Sequence, residues 1–167
     1  MERKNAWLSY TEADEEKLER LAKEYRIFLD EAKTERECVE ELVKEAEANG
    51  YVSLEKKLDA GEKIQAGDKI YAVGMKKIMT LFHIGKEPME KGMNILGAHI
   101  DSPRLDVKQN PLYEDTDLAY LDTHYYGGVK KYQWVALPLA IHGVIVKKDG
   151  TVVKVSVGED ADDPVVY

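Results

Sequence analysis

Apolar residues in the first fifty positions recur at intervals of three and four residues, which is the spacing of one face of an α-helix. The first such face consists of Leu18, Leu21, Tyr25 and Phe28. The second face consists of Val39, Leu42, Val43 and Ala46. The pattern therefore predicts a helical hairpin over residues 11–50 whose apolar faces belong to the core.

Start and stop signals support the hairpin. Thr11 precedes Asp14 and Thr34 precedes Glu37, each with the spacing of a capping box. Gly50 is a suitable residue to end the second helix. We assign no chemistry to this region, because apolar stripes at helical spacing are usually core.

The pattern after the hairpin changes to short apolar runs. Residues 51–68 are mixed and predict a loop or a short irregular helix, whereas residues 69–73 and 77–83 predict two strands joined at Gly74-Met75. A third apolar run, part of a strand predicted over residues 93–99, ends on a histidine. Helices followed by closely spaced strands indicate an α/β fold with a layered sheet.

The end of this third strand carries the candidate chemistry. His99 closes the apolar run, Asp101 follows two residues later, and Ser102-Pro103 ends the element. In an extended segment residues two apart point the same way, so both side chains are expected in one pocket. A carboxylate that orients an imidazole fits a metal site or a general base. The alternative is a strand-end histidine paired with a nearby carboxylate for structural reasons.

The second half of the sequence is rich in β-pattern and loop signals. Leu105 and Val107 alternate with polar residues and predict a strand. Loops are expected at Asn110-Pro111, at residues 114–117 and in the aromatic, glycine-ended segment 123–128. From Gln133 onward the pattern predicts strands over residues 135–139, 143–146 and 151–157, with a turn at Lys148-Asp149-Gly150.

Composition narrows the classes of function. With 44% hydrophobic and 34% charged residues, the 167-residue chain is expected to be soluble and globular. Its net charge of −8 argues against nucleic acid or an anionic membrane surface as partner. No apolar signal core or membrane-spanning run is visible, and the single cysteine, Cys38, cannot form an internal disulfide. We therefore expect a cytoplasmic protein.

The remaining histidines are weaker candidates. His83 and His142 lie at or within predicted strands and are expected to be structural. His124 lies in the predicted Tyr/Gly-rich loop, where a functional role and a structural one both stay open. The sequence contains no His-Glu-x-x-His, cysteine pair, phosphate-binding loop or Gly-x-Ser-x-Gly motif. The residues alone thus provide one strong candidate ligand and no complete site.

A family resemblance begins at the same histidine. The segment Gly97-Ala98-His99-Ile100-Asp101-Ser102-Pro103 resembles the Gly-Ala-His-x-Asp-Ser-Pro motif of the M18 aminopeptidases, the family of aspartyl aminopeptidase and vacuolar aminopeptidase I. The likeness extends to the segments 110–113, 125–128, 133–134 and 138–140. Eukaryotic members usually carry Asp-Arg after the tryptophan, where this chain has Val135-Ala136-Leu137, so it looks more like bacterial members.

The resemblance implies a zinc exopeptidase with two zinc ions in each complete active site. His99 would be a metal ligand, and Asp101 would be the catalytic aspartate that supports the site. The family's other ligands and its Glu-Glu pair come later than Tyr167, so the chain looks like the N-terminal portion of such an enzyme, inactive alone.

The resemblance also implies a domain division. Residues 1–132 would be part of the metallopeptidase domain, and residues 133–167 would begin a β-rich assembly domain. The substrates would be peptides, and the complete protein would be a homo-oligomer. The alternatives are a non-catalytic assembly module and a plain α/β binding domain with a structural His99.

Overall fold

The described part of the chain, residues 3–164, forms two compact units that divide between Gly97 and Ala98 in this computed structural model. The first unit contains three α-helices, two short 3₁₀ turns at Ala6–Ser9 and Met89–Lys91, and a three-stranded sheet, and the second contains two antiparallel hairpins and one short α-helix. The predicted α/β class is confirmed. The predicted division at residues 132 and 133 stays a prediction, and residues 165–167 of the proposed second domain lie outside the described residues.

The predicted helical hairpin is confirmed. Helix α1 spans Glu12–Glu31 and helix α2 spans Glu35–Ala48, after a short 3₁₀ turn at Ala6–Ser9. Both capping boxes are present: at α2, the Glu37 amide donates to Thr34 Oγ1 at 3.3 Å and the Thr34 amide donates to Glu37 Oε2 at 2.9 Å.

The sheet of the first unit is built from three short strands. They are β1 (Val52–Ser53), β2 (Lys69–Gly74) and β3 (Ile78–His83), and helix α3 (Leu54–Asp59) follows β1. β2 is the central strand, parallel to β1 and antiparallel to β3. The β2–β3 turn places Met75 and Lys76 at φ 50° and 59°, so the turn lies one residue later than the sequence predicted.

The core of the first unit is the contact between α2 and the sheet. Its buried side chains are Cys38, Val39, Ala46, Ile70 and Tyr71. Val39 is only 2% exposed, and the Tyr71 hydroxyl donates to Glu47 Oε1 at 2.7 Å. Burial, with a smaller contribution from Glu35, raises the pKa of the Cys38 thiol, which disfavours the reactive thiolate.

The apolar face predicted for α1 is not part of the core that the described residues form. None of the residues of α1 is buried, and Leu21 and Tyr25 are more than half exposed. The physical reason is that α1 packs against α2 along one side, and this contact leaves much of its apolar face open to solvent.

The strand predicted over residues 93–99 is also wrong. The described structure has no regular element between Gly92 and Pro103, and Ile95 and Leu96 are 80% and 100% exposed. An apolar run becomes a strand only where a neighbouring strand pairs with its backbone, and none does so within the described residues. Hydrophobicity alone therefore did not produce the predicted buried strand here.

The second unit consists of two separate antiparallel hairpins. The first joins β4 (Arg104–Asp115) to β5 (Leu118–Tyr126), and the second joins β6 (Ile141–Val146) to β7 (Val152–Val157). The short helix α4 (Lys131–Trp134) lies between them in the sequence. The predicted turn at Lys148-Asp149-Gly150 is confirmed, with the Thr151 amide donating to Asp149 Oδ1 at 2.9 Å.

Several loop and strand boundaries in this half differ from the sequence prediction. Asn110-Pro111 lies inside β4, at the point where the register with β5 shifts between Val107 and Leu112. Such an irregularity tolerates proline, which has no amide for a regular strand ladder. His124 lies in β5 and not in a loop. Residues 135–139 form no strand, since they follow α4 directly and contain Pro138, which has no amide for a strand ladder.

Among residues 3–164 no helix combines the length and the apolar character that crossing a bilayer requires.

The α2 cap can be tested by the substitution Thr34→Ala. We expect a loss of about 1 kcal/mol in the free energy of unfolding of the first unit, because the Glu37 amide loses its acceptor. The measurement is hydrogen exchange of the β2 amides in native conditions. Thr11→Ala is the matched control, since it removes the same type of cap from α1, which buries no residue; an equal loss from both substitutions contradicts the prediction.

The buried Tyr71 hydroxyl predicts a loss of stability at alkaline pH. Burial, together with the hydrogen bond to Glu47, raises the pKa of Tyr71 above its ordinary value. Below about pH 10 the phenol is protonated in both states, and above it the unfolded chain ionises first, so stability falls as pH rises.

The substitution Tyr71→Phe should therefore reduce the fall in unfolding free energy between about pH 9 and pH 11. Urea unfolding at each pH measures this fall. The exposed Tyr10→Phe serves as the matched control. A Tyr71→Phe protein whose stability falls as steeply as that of the original chain contradicts the assignment.

Candidate metal-binding site

The candidate site lies in the irregular segment that leads into β4. His99 Nδ1 is 2.8 Å from the Asp101 backbone oxygen and 3.3 Å from Asp101 Oδ1. A carbonyl oxygen only accepts hydrogen bonds, so Nδ1 must carry the proton in the neutral ring. The other nitrogen, Nε2, then has a free lone pair, which is the form of histidine that binds a metal ion. The His99 side chain is 83% exposed.

Asp101 is held from a second direction by the end of β5. The Tyr126 hydroxyl donates to Asp101 Oδ2 at 3.0 Å, while Oδ1 faces the His99 ring. This hydrogen bond is the largest cause that lowers the pKa of Asp101 below its ordinary value, with smaller contributions from the backbone and His99. Asp101 is therefore an anion at neutral pH.

Tyr126 is in turn placed by the strand pair. It is the register partner of Arg104, whose guanidinium carbon lies 4.3 Å from the centre of the tyrosine ring. Arg104 Nε also donates to Asp106 Oδ1 at 2.7 Å. The ring thus lies under a cation that is itself paired with a carboxylate.

The bend after β5 lies close to the irregular segment before β4. Gly127 has φ 75°, a conformation that favours glycine, and a Cβ added there would lie 3.4 Å from Pro103 Cα. Gly127 therefore lies close to Pro103, and the strand end that carries Tyr126 is close to the segment that carries Asp101.

The structure brings the predicted pair His99 and Asp101 into contact, although no strand presents them. Tyr126 and Arg104 also belong to this cluster, and the sequence did not predict either of them as a site residue. The signal available was the Tyr125-Tyr126-Gly127-Gly128 motif, but its sequence distance from Asp101 gives no periodicity to read.

The other three histidines belong to other elements of the described structure. His83 ends β3, and His124 lies in β5 with its ring 5.5 Å from that of Tyr125. His142 lies in β6, and its Nε2 is 2.8 Å from Glu159 Oε1, which is a partner for a largely buried imidazole. This placement is consistent with a structural His142.

The donor set fits part of a metal site. His99 offers one imidazole whose Nε2 is free of a proton, and the backbone oxygen of Asp101 is the acceptor that keeps the proton on Nδ1. Over residues 3–164, however, no group of three or more histidine, cysteine, aspartate or glutamate side chains is arranged to hold a metal ion. A zinc site takes four ligands, so these residues can supply only a portion of one.

Comparison with known proteins places the chain among peptidases. Residues 28–167 match the family model described as Aminopeptidase I zinc metalloprotease (M18). The probable M18 family aminopeptidase 1 of Clostridium acetobutylicum is 61% identical over 164 residues, which is 98% of this chain and 35% of that protein. The chain thus spans 35% of the length of this curated relative.

Solved structures show the same likeness. The crystal structure of aminopeptidase I from Borrelia burgdorferi B31 matches 97% of this chain and 39% of its own, with a TM-score of 0.89 and 37% identity. An M18 family aminopeptidase from Thermotoga maritima matches 99% of this chain and 35% of its own, with a TM-score of 0.87 and 42% identity. The resemblance found in the sequence is confirmed, and the chain belongs to the M18 family of aminopeptidase I zinc metalloproteases.

Proposed function

We propose that this chain contributes to a zinc-dependent aminopeptidase that removes N-terminal residues from peptides. His99 is the metal ligand in this proposal, and Asp101 is the catalytic aspartate that supports it. The observation that carries the proposal is the contact of His99 Nδ1 with the Asp101 backbone oxygen, which leaves Nε2 free to bind a metal ion. The family match over residues 28–167 supplies the reaction class.

A zinc ion held by His99 and the remaining ligands would supply polarisation of the scissile carbonyl and a lowered pKa of a bound water. The residues of this chain have more limited tasks. The ring of His99 presents Nε2, and the carbonyl of Asp101 keeps the proton on Nδ1. The Asp101 carboxylate lies beside the imidazole, with Oδ1 at 3.3 Å from Nδ1, and helps to orient the ring.

The other ligands of the site are proposed to lie outside the described residues. Two facts support this: those residues hold no group of three candidate ligands, and the chain spans 35% of a curated relative. The complete site would then hold two zinc ions, and the complete protein would be a cytoplasmic homo-oligomer. Residues 133–167 would begin the domain that mediates its assembly.

A second candidate function, a non-catalytic assembly module, is favoured by one observation. The apolar residues Ile95 and Leu96 are exposed, as is much of the apolar face of α1. Exposed apolar surface of this kind is typical of a contact with another polypeptide. Light scattering that finds the isolated chain to be monomeric, with and without the remainder of an M18 enzyme, argues against this candidate.

The isolated 167-residue chain should be catalytically inactive, because one imidazole and one carboxylate do not complete a zinc site. The measurement is release of N-terminal residues from a set of peptides, with added zinc and with a chelator. Chelator-sensitive release by the purified chain contradicts the prediction.

The ligand role of His99 predicts a loss of zinc in the natural full-length protein carrying His99→Ala. Loss of an outer-shell partner typically lowers metal affinity ten- to hundredfold, and we expect loss of the ligand itself to lower zinc affinity by at least that much. Peptidase activity should fall with zinc affinity. Zinc content after dialysis and the rate of peptide hydrolysis measure the two effects.

His83→Ala is the matched control for this experiment, because His83 ends β3 and is a histidine that the sequence predicts to be structural. Its zinc content and activity should equal those of the unmodified protein. A His99→Ala protein with unchanged zinc content refutes the ligand role.

A further inference from the structure

We propose that Tyr126 is a positioning residue for the metal-ligand segment: its hydroxyl fixes the Asp101 carboxylate, which lies beside the His99 ring and helps the Asp101 backbone oxygen to orient it. The inference rests on the proposed role of His99 as a ligand. It assigns a task to the Tyr-Gly-Gly motif that neither the sequence nor the family match supplied.

The Asp101 carboxylate uses its two oxygens for two different partners. Oδ2 accepts from Tyr126 at 3.0 Å, and Oδ1 lies 3.3 Å from His99 Nδ1. A carboxylate engaged on both sides cannot rotate without breaking one of these contacts. Removal of the tyrosine hydroxyl therefore frees the carboxylate to turn away from the imidazole.

Tyr126 is suited to this task because its own position is set by the strand pair. Arg104 lies across the ladder from it with its guanidinium 4.3 Å from the ring centre, and Arg104 is bonded to Asp106. On the other side, Gly127 contacts Pro103. The hydroxyl thus reaches Asp101 from a backbone that is fixed on both sides of the contact.

Burial does not account for a tyrosine at this position. Tyr126 is 40% exposed, so it is not a core residue of the second unit. The His99 side chain is 83% exposed and has little packing to hold it. Polar contacts must therefore supply the orientation of the imidazole, and Tyr126 anchors the carboxylate that makes one of them.

Outer-shell groups of this kind affect the metal measurably. Loss of a partner that orients a ligating histidine typically lowers metal affinity ten- to hundredfold. Because Tyr126 acts through Asp101, its contribution should depend on the presence of the Asp101 carboxylate. A purely structural tyrosine would contribute equally with or without that carboxylate.

The experiment is a double-mutant cycle on zinc affinity in the natural full-length protein, measured by competition with a chromophoric chelator. Tyr126→Phe should weaken zinc binding about tenfold or more, and Asp101→Ala should weaken it at least as much. Adding Tyr126→Phe to Asp101→Ala should change the affinity less than twofold. Tyr125→Phe is the matched control, since Tyr125 points to the opposite face of β5 and lies under Lys131 at 4.5 Å.

Two results overturn the positioning role while the ligand role of His99 survives. One is a Tyr126→Phe protein that binds zinc within twofold of the original while His99→Ala does not. The other is an equal loss from Tyr126→Phe with and without Asp101. If His99→Ala also binds zinc normally, the proposed function itself fails, so the two failures are distinguishable.

Discussion

The first unit depends on the contact between one face of α2 and the central strand β2. Val39 and its neighbours on α2 meet Ile70 and Tyr71, and these positions contain the buried side chains of the described residues. Burial of apolar surface is the main favourable contribution to folding, so the unit's stability is concentrated in this contact. The capping box at Thr34 and the hydrogen bond from Tyr71 to Glu47 lie next to this contact. They provide hydrogen-bond partners for a backbone amide and a phenol hydroxyl at its edge.

A core of this size is small for a chain of 167 residues, which ordinarily buries most of its apolar side chains. Because the core is small, apolar side chains on α1 and at Ile95 and Leu96 remain exposed. The chain spans 35% of the length of a curated relative, and exposed apolar surface of this kind supports the second candidate function, contact with another polypeptide. The proposed incompleteness of the metal site follows the same logic, because one imidazole needs ligands from elsewhere.

The candidate site illustrates how an imidazole on an irregular segment can still be oriented. His99 has no strand to fix it, and its ring is positioned by contacts to Asp101. Asp101 is tied to Tyr126, which belongs to a paired strand. Backbone hydrogen bonds thus fix β5, the Tyr126 phenol on β5 fixes the Asp101 carboxylate, and Asp101 positions the imidazole. Each of these contacts can be tested by one substitution.

The sequence by itself determined the features that depend on neighbours along the chain. The caps at Thr11 and Thr34 and the strand at Ile70 were predictable, because hydrogen bonding to nearby amides and side-chain periodicity are local. The pairing of His99 with Asp101 was also within reach, since two residues separate them. Whether an apolar run is buried or exposed, and which distant tyrosine reaches a carboxylate, were decided by tertiary structure. Both depend on which backbone segments lie side by side, and that pairing joins residues far apart in the sequence.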